Sequence, residues 1–193
     1  MMREVIIIMA IFAIISISKY PTQQPIIVNQ DNNFLSTKDC DQLITEAKYS
    51  SAPVRLYTNN PTYKASIHFL EGRSMIATKM KQRIGGFINS TTYGVLICSD
   101  FQVRTFKENE QYGPHYDEPK KHFTVLVFLN DDFDGGEVRF TKFNKVVRPE
   151  KGKAIVIRNL NKQGERIATS EYEEGVVTKG KKYCLKFYLS LQK

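Results

Sequence analysis

The sequence predicts a mainly β (α+β) domain in which two N-terminal helices pack outside a sandwich or barrel of short strands. Up to about residue 90 the apolar residues recur at helical spacing, and after Ser90 they recur with a period of two. With 193 residues, 41% of them hydrophobic, the chain is long enough to bury a core. This composition excludes wholesale disorder.

Two helices are predicted in the first half of the chain. Ser36 is suited to cap the first helix, with Asp39 as the acid of a capping box. The apolar face of this helix comprises Cys40, Leu43, Ile44 and Ala47. The second helix is expected from Ser74 to Ile84, with the glycines at 85 and 86 as its stop. Residues 50–65 are expected to be a loop.

The second half of the chain predicts strands separated by turn residues. They are expected at Tyr93–Ile97, Phe101–Phe106, Phe123–Leu129, Val138–Phe140, Ala154–Ile157 and Tyr183–Leu191. In the last strand, alternate apolar residues share one face; they are Tyr183, Leu185, Phe187, Leu189 and Leu191. Turn residues such as Asp134-Gly135-Gly136 end the strands.

The sequence at the N-terminus predicts a targeting segment. Residues 5–18 are apolar and uncharged, but as a helix they would span only about 21 Å, less than the roughly 30 Å of bilayer hydrocarbon. Residues 1–20 are therefore interpreted as either a signal peptide or a short signal anchor, with membrane association through residues 5–18. Both predict a secretory lumen or a membrane-anchored location. Residues 21–33 are predicted to be a linker, and 34–193 the globular domain, with its β core at about 93–191.

The charge and cysteine content limit the classes of partner. The net charge is +8, from 28 Lys and Arg against 20 Asp and Glu, and many of the cations lie in the last quarter of the chain. A solvated basic face is favoured over a nucleic-acid surface, since no aromatic and basic motif accompanies the charge. The three cysteines have neither zinc-ligand spacing nor the number that a disulfide framework needs.

One short motif is suited to metal chemistry. His115 and Asp117 are two residues apart, so in a strand both side chains point the same way and can share one ion. Alone, this spacing is common by chance. The residues after it extend the pattern: Thr124-Val-Leu-Val-Phe-Leu-Asn130, Phe133-Asp-Gly-Gly-Glu137, Pro149-x-x-Gly152-x-Ala154 and Val177-x-x-Gly180-x-Lys182-Tyr183.

Because these motifs occur together and in this order, residues 33–190 resemble the prolyl 4-hydroxylase-like family of Fe(II)- and 2-oxoglutarate-dependent dioxygenases. The resemblance implies a double-stranded β-helix, a jelly-roll (cupin-like) barrel with helices on one side. It implies that His115 and Asp117 hold iron, together with a distal third ligand. It also implies that Lys182 binds the far carboxylate of 2-oxoglutarate, assisted by Thr124.

The distal iron ligand departs from the family pattern. The family places a histidine ten residues before the lysine, and Tyr172 stands at that position. A phenol has to lose a proton of pKa near 10 before it ligates as phenolate. Three outcomes are open: Tyr172 ligates, a neighbouring carboxylate (Glu171 or Glu173, with Glu173 the better placed) substitutes, or the site is catalytically inactive. Phe106 and Phe128 also replace tyrosines that relatives carry.

The resemblance leads to a first hypothesis with two rivals. The first is a hydroxylase that uses Fe(II), 2-oxoglutarate and ascorbate on a protein or peptide side chain. The second is a catalytically inactive pseudoenzyme that uses the same fold as a binding module. Nucleic-acid binding or demethylation ranks last, because the sequence lacks a second basic motif of that oxygenase branch.

Overall fold

The structure is a computed structural model that describes residues 27–49, 55–56, 62–70, 75–87, 96–99 and 101–191. The predicted signal peptide or anchor and residues 21–26 of the predicted linker lie outside these residues. None of the helices within the described ranges is long and apolar enough to cross a membrane.

The described chain contains two α-helices and fourteen strands. The helices are α1 (Thr37–Tyr49) and α2 (Met75–Phe87). The first seven strands are β1 (Ile27–Asp31), β2 (Arg55–Leu56), β3 (Ser66–Phe69), β4 (Leu96–Cys98), β5 (Gln102–Phe106), β6 (Tyr112–His115) and β7 (Phe123–Phe128). The others are β8 (Asp134–Gly135), β9 (Val138–Phe140), β10 (Lys145–Val147), β11 (Ala154–Arg158), β12 (Tyr172–Glu174), β13 (Val177–Lys179) and β14 (Lys182–Leu191).

The strands form a large and a small antiparallel sheet. The large sheet has eight strands in the order β1-β11-β7-β14-β5-β3-β2, with β4 also paired to β14. The small sheet has the order β10-β9-β12-β6, and β13 pairs with β8 in a two-stranded ribbon. Strand β14 lies at the centre of the large sheet, between β7 and β5.

Two cores lie on opposite faces of the large sheet, because successive side chains of a strand point to opposite faces. The outer core joins the helices to residues of β7 and β14, among them Leu43, Met80, Val125, Val127, Leu185 and Phe187. The inner core joins the large sheet to the small one through Leu126, Phe128, Val138, Phe140 and Tyr172. The mainly β architecture with helices outside agrees with the sequence-based expectation.

Several element boundaries differ from the expectation. Helix α2 continues through the two glycines to Phe87, since glycine lowers helix propensity by about 1 kcal/mol without forbidding the helix. The predicted loop at 50–65 contains β2, and the predicted linker ends in β1, which pairs with β11. The short strands β3, β6, β8, β10, β12 and β13 were not predicted, because two to four residues carry little periodicity. The three-residue β9 was nevertheless predicted at its observed bounds.

Helix α1 begins at the predicted capping box. The Ser36 hydroxyl accepts a hydrogen bond from the Asp39 backbone N–H at 3.2 Å and donates one to Asp39 Oδ2 at 2.7 Å. Asp39 also forms an ion pair with Lys79 of α2 at 2.6 Å. The capping box therefore connects the two helices that cover the large sheet.

We expect Ser36→Ala to lower the free energy of unfolding by about 1 kcal/mol, because a helix N–H loses its side-chain acceptor. Urea denaturation at pH 7 measures this loss. Thr37→Ala, one residue along on the exposed surface, is the control and should change the free energy of unfolding by less than about 0.5 kcal/mol. Equal effects of the two substitutions would contradict the capping role.

Candidate functional site

The residues of the predicted iron site meet between the two sheets. His115 ends β6, Asp117 follows two residues later, and Tyr172 begins β12. His115 and Tyr172 are direct cross-strand partners, and their ring centroids lie 4.5 Å apart. The structure therefore places Tyr172 beside the His-x-Asp pair, at the position where the family pattern requires a third ligand.

His115 presents a free lone pair to this site. Its Nδ1–H donates to the Gly113 carbonyl at 2.9 Å, so the neutral ring carries its lone pair on Nε2. Nε2 is buried without a hydrogen-bond partner and lies 3.9 Å from Asp117 Oδ1. Burial, and then the Lys186 ammonium, lower the pKa of His115 to about 4, so the imidazole is neutral at pH 7.

The Asp117 carboxylate is fully hydrogen-bonded by the protein. Oδ1 accepts from Lys186 Nζ at 2.6 Å and from the Tyr188 hydroxyl at 3.1 Å. Oδ2 accepts from the Tyr172 hydroxyl at 3.1 Å and from the Thr124 hydroxyl. An ionised carboxylate has about four acceptor sites, so these donors leave none free.

The charges of this cluster are fixed by burial and by the Lys186 ammonium. Burial alone would raise the pKa of Asp117, but Lys186, His115 and the Thr124 hydroxyl together outweigh burial and hold that pKa at about 2. Burial, with the Asp117 charge beside it, raises the pKa of Tyr172 well above its ordinary value. Asp117 is therefore ionised, and Tyr172 is a neutral phenol that donates a hydrogen bond.

A second buried cluster surrounds Lys182, the predicted cosubstrate residue. Lys182 Nζ donates to Glu174 Oε2 at 2.8 Å and to the Gly136 carbonyl at 2.9 Å. The Arg104 guanidinium donates to the other oxygen of Glu174, and the Cys184 thiol donates to Oε2 at 3.3 Å. Burial would raise the pKa of Glu174, but the Lys182 and Arg104 cations hold it well below its ordinary range.

Two predicted residues have different neighbours from those expected. Thr124 donates to Asp117 and accepts from Asn159 Nδ2 at 2.8 Å, so its hydroxyl belongs to the Asp117 cluster. Glu173 was suggested as a substitute iron ligand, but its carboxylate lies on the outer face, 3.5 Å from Arg139 Nη1. Because neighbouring residues of a strand point to opposite faces, Glu173 faces away when Tyr172 faces inward.

Sequence reasoning missed Lys186, Glu174 and Arg104. A signal for the first was present, because the apolar residues predicted for one face of β14 leave Lys182 and Lys186 together on the other. Glu174 likewise shares the inner face of β12 with Tyr172. What the sequence could not supply was the pairing of these charges across the two sheets.

The described residues do not fit a three-ligand iron centre. No group of three or more His, Cys, Asp or Glu side chains in the described part of the chain is arranged to hold a metal ion. Tyr172 is a protonated donor, and the ammonium of Lys186 uses the carboxylate oxygen nearest His115. Of the three predicted ligands, only His115 offers a free lone pair.

The described residues also do not fit a free cosubstrate carboxylate. A dianionic cosubstrate needs a fixed cation that has no other counter-ion. Lys182 is fully buried, and Glu174 already neutralises it. This arrangement of side chains therefore supports no catalytic step through iron or 2-oxoglutarate.

Comparisons with known proteins support the fold and the family that the sequence resembles. Residues 101–190 match the family model of the 2OG-Fe(II) oxygenase superfamily. Its cofactors are Fe(II) and 2-oxoglutarate, as the sequence resemblance implies. A probable prolyl 4-hydroxylase of Arabidopsis thaliana is 27% identical over an alignment of 169 residues that covers 80% of this chain and 58% of that protein.

Solved structures of the superfamily share the fold. The viral collagen prolyl hydroxylase of Paramecium bursaria chlorella virus 1, solved with 2-oxoglutarate, has a TM-score of 0.72 at 21% identity, covering 84% of this chain and 95% of that one. A Trichoplax adhaerens prolyl hydroxylase, solved with a hypoxia-inducible-factor peptide, has a TM-score of 0.64 at 17% identity, covering 83% and 82%. The predicted double-stranded β-helix fold is confirmed.

The chain spans about half the length of the curated relatives that it matches, 58% of the plant protein and 46% of a putative prolyl 4-hydroxylase of Acanthamoeba polyphaga mimivirus. The activity and partners of the whole protein are therefore matters for proposal.

We expect Glu174→Ala to lower the free energy of unfolding at pH 7 by about 3–5 kcal/mol, because it leaves Arg104 and Lys182 buried without a counter-ion. Chemical denaturation measures this loss. The matched control is Glu173→Ala, which removes a carboxylate from the outer face of the same strand and should cost less than about 1 kcal/mol. Similar losses for both variants would contradict the role of the buried network.

The destabilisation by Glu174→Ala should also depend on pH. The pKa of Glu174 is lowered on folding from an ordinary value of 4.5. The stability that its charge contributes is therefore complete above pH 4.5 and is lost as the pH falls toward the folded-state pKa. The difference in unfolding free energy between the wild type and Glu174→Ala should narrow below pH 4.5. A difference that widens in acid would contradict this assignment.

Proposed function

We propose that this chain is a binding module built on the prolyl hydroxylase-like oxygenase fold, which holds a protein or peptide segment without oxidising it. The observation that carries the proposal is the buried ion pair of Lys186 with Asp117. This pair places an ammonium beside Asp117, within the cluster of His115, Asp117 and Tyr172 that the sequence resemblance assigns to iron. The neutral phenol of Tyr172 supports the same conclusion.

A second candidate is iron- and 2-oxoglutarate-dependent hydroxylation of a protein or peptide side chain. The observation that favours it is the unpartnered Nε2 of His115, which has the tautomer of a metal ligand. Membership of the oxygenase superfamily supports it as well. It requires the Lys186–Asp117 pair to open, and ascorbate would then serve to keep the iron ferrous.

The two candidates predict different responses to the cofactors. In the absence of oxygen, Fe(II) followed by 2-oxoglutarate should give the wild-type protein no metal-to-ligand charge-transfer band, because no complete ligand set is free. The viral collagen prolyl hydroxylase, handled identically, is the positive control. A band that needs both additions, together with succinate release in air, would contradict the binding-module proposal and support the hydroxylase.

The partner we propose is a protein or peptide segment with acidic character. The solved relatives include a collagen prolyl hydroxylase and a prolyl hydroxylase in complex with a peptide. Here, Tyr116 follows His115 directly and lies between two exposed cations. Lys142 Nζ is 5.2 Å and the Arg166 guanidinium carbon 4.9 Å from its ring centroid. Lys142 Nζ also lies 3.3 Å from Glu171 Oε2, so Arg166 is the cation of this rim that we propose to meet a carboxylate, and the Tyr116 ring is the surface for proline.

We expect a labelled Pro-Pro-Glu repeat peptide to bind more tightly than a matched Pro-Pro-Gly repeat, with the difference shrinking as salt is added. Fluorescence anisotropy measures both affinities. Arg166→Glu should remove the preference for the acidic repeat, whereas Lys179→Glu, an exposed charge reversal outside the Tyr116 rim, should leave it in place. A preference that survives Arg166→Glu would contradict the rim assignment.

We further propose that residues 1–20 direct the chain to a secretory lumen or anchor it in a membrane. Their apolar run supports the proposal. Expression of the full chain in eukaryotic cells, followed by carbonate extraction, tests it. Recovery of the processed chain in the lumenal fraction supports a signal peptide, and retention in the pellet supports an anchor. Recovery in the cytosol contradicts both.

A further inference from the structure

The buried charges between the sheets form two clusters, and in both the cations and the carboxylate come from opposite sheets. The large sheet supplies the cations: Arg104 from β5, and Lys182 and Lys186 from β14. The small sheet supplies the carboxylates: Glu174 from β12, and Asp117 from the segment that follows β6. All five residues are at most 8% exposed. Each carboxylate therefore joins the two sheets through an ionic contact.

In the first cluster, Glu174 leaves no room for another carboxylate. One of its oxygens accepts from Arg104, and the other accepts from Lys182 at 2.8 Å. The remaining hydrogen bond that Lys182 makes goes to the backbone carbonyl of Gly136. A carboxylate from solution that binds Lys182 would have to compete with Glu174 for the ammonium.

In the second cluster, Lys186 has the position and the charge of a bound cation. Its Nζ lies 2.6 Å from Asp117 Oδ1 and 5.4 Å from the ring centroid of Tyr172. The same Asp117 oxygen is 3.9 Å from His115 Nε2. A divalent ion bound to His115 and Asp117 would meet this ammonium at close range, and the two like charges would repel each other.

We propose that Glu174 and Lys186 are built-in replacements for the cosubstrate carboxylate and the metal ion, and that these two side chains exclude both cofactors from the fold. This inference rests on the proposed non-catalytic function and names the residues that enforce it. Removal of Glu174 should create a carboxylate site at Lys182 and Arg104. Removal of Lys186 should release Asp117 for metal binding.

The first experiment is a thermal unfolding titration of Glu174→Ala with glutarate and with 2-oxoglutarate. Both dianions should raise the unfolding midpoint with the logarithm of their concentration, by about 5–10 °C at 100 times Kd. Neutral glutaramide should have no effect. The matched control, Glu173→Ala, should respond to none of the three compounds. The absence of a carboxylate-dependent shift in Glu174→Ala would overturn the inference.

A second variant covers the case in which Glu174→Ala does not fold. Arg104→Met combined with Glu174→Ala leaves only Lys182 facing the vacated space, so one unpaired cation remains in place of two. Its unfolding midpoint should also rise with glutarate and 2-oxoglutarate. If this double variant folds and shows no shift, or if neither variant folds at saturating dianion, the inference is overturned.

The metal side of the inference has its own test, with Co²⁺ as the probe. Tyr172→His alone should not bind Co²⁺, because Lys186 still occupies Asp117. Tyr172→His with Lys186→Met should bind it, seen as a visible d–d absorption band and a raised unfolding midpoint. Tyr172→His with Lys179→Met, which removes an exposed lysine, is the control and should behave like Tyr172→His. Binding by Tyr172→His alone, or none by the Lys186 double variant, would overturn the inference.

The same titrations of the wild-type protein distinguish a failure of this inference from a failure of the proposed binding function. A midpoint that rises with 2-oxoglutarate in the wild type, or wild-type binding of Co²⁺, contradicts the proposed binding module itself. If neither the wild type nor the variants bind the dianions or Co²⁺, only the assignment of Glu174 and Lys186 is contradicted. If the variants bind these ligands and the wild type does not, the result supports both the binding-module function and the roles of Glu174 and Lys186.

Discussion

The ion pair between Lys186 and Asp117 is the contact on which the interior depends. Taking two charges out of water is costly, and the cost is offset only when every donor and acceptor is paired. Asp117 meets this condition through four donors from β7, β12 and β14. The same saturation removes the lone pairs that a metal ion would need. The same contacts thus stabilise the interior and leave Asp117 with no free lone pair for a metal ion.

The Arg104–Glu174–Lys182 cluster follows the same physical logic. Its cations come from the large sheet and its carboxylate from the small sheet, as in the Asp117 cluster. Under the proposed function, these side chains supply both charges between the sheets, so the ionic contacts that join the two sheets belong to the chain itself.

The parts of the fold that could be predicted are those with a long periodic signal. Helix α1 begins at the predicted Ser36 cap, and the strands β7 and β14 fall close to the predicted bounds, because each is a long run rich in apolar residues that ends at turn residues. Strands such as β6 and β12 could not be predicted. Each is short and polar, and forms only because it pairs with neighbouring strands.

The sequence by itself determined the oxygenase-type motif order and the presence of tyrosine at the distal position, since both follow from counting residues along the chain. The tertiary structure alone decided where Lys186, Glu174 and Glu173 point and which charges they meet. Strand side chains alternate between faces, so a shift of one residue decides between a buried and an exposed carboxylate. Their partners lie across two sheets, far apart in sequence, and no local pattern records such pairings.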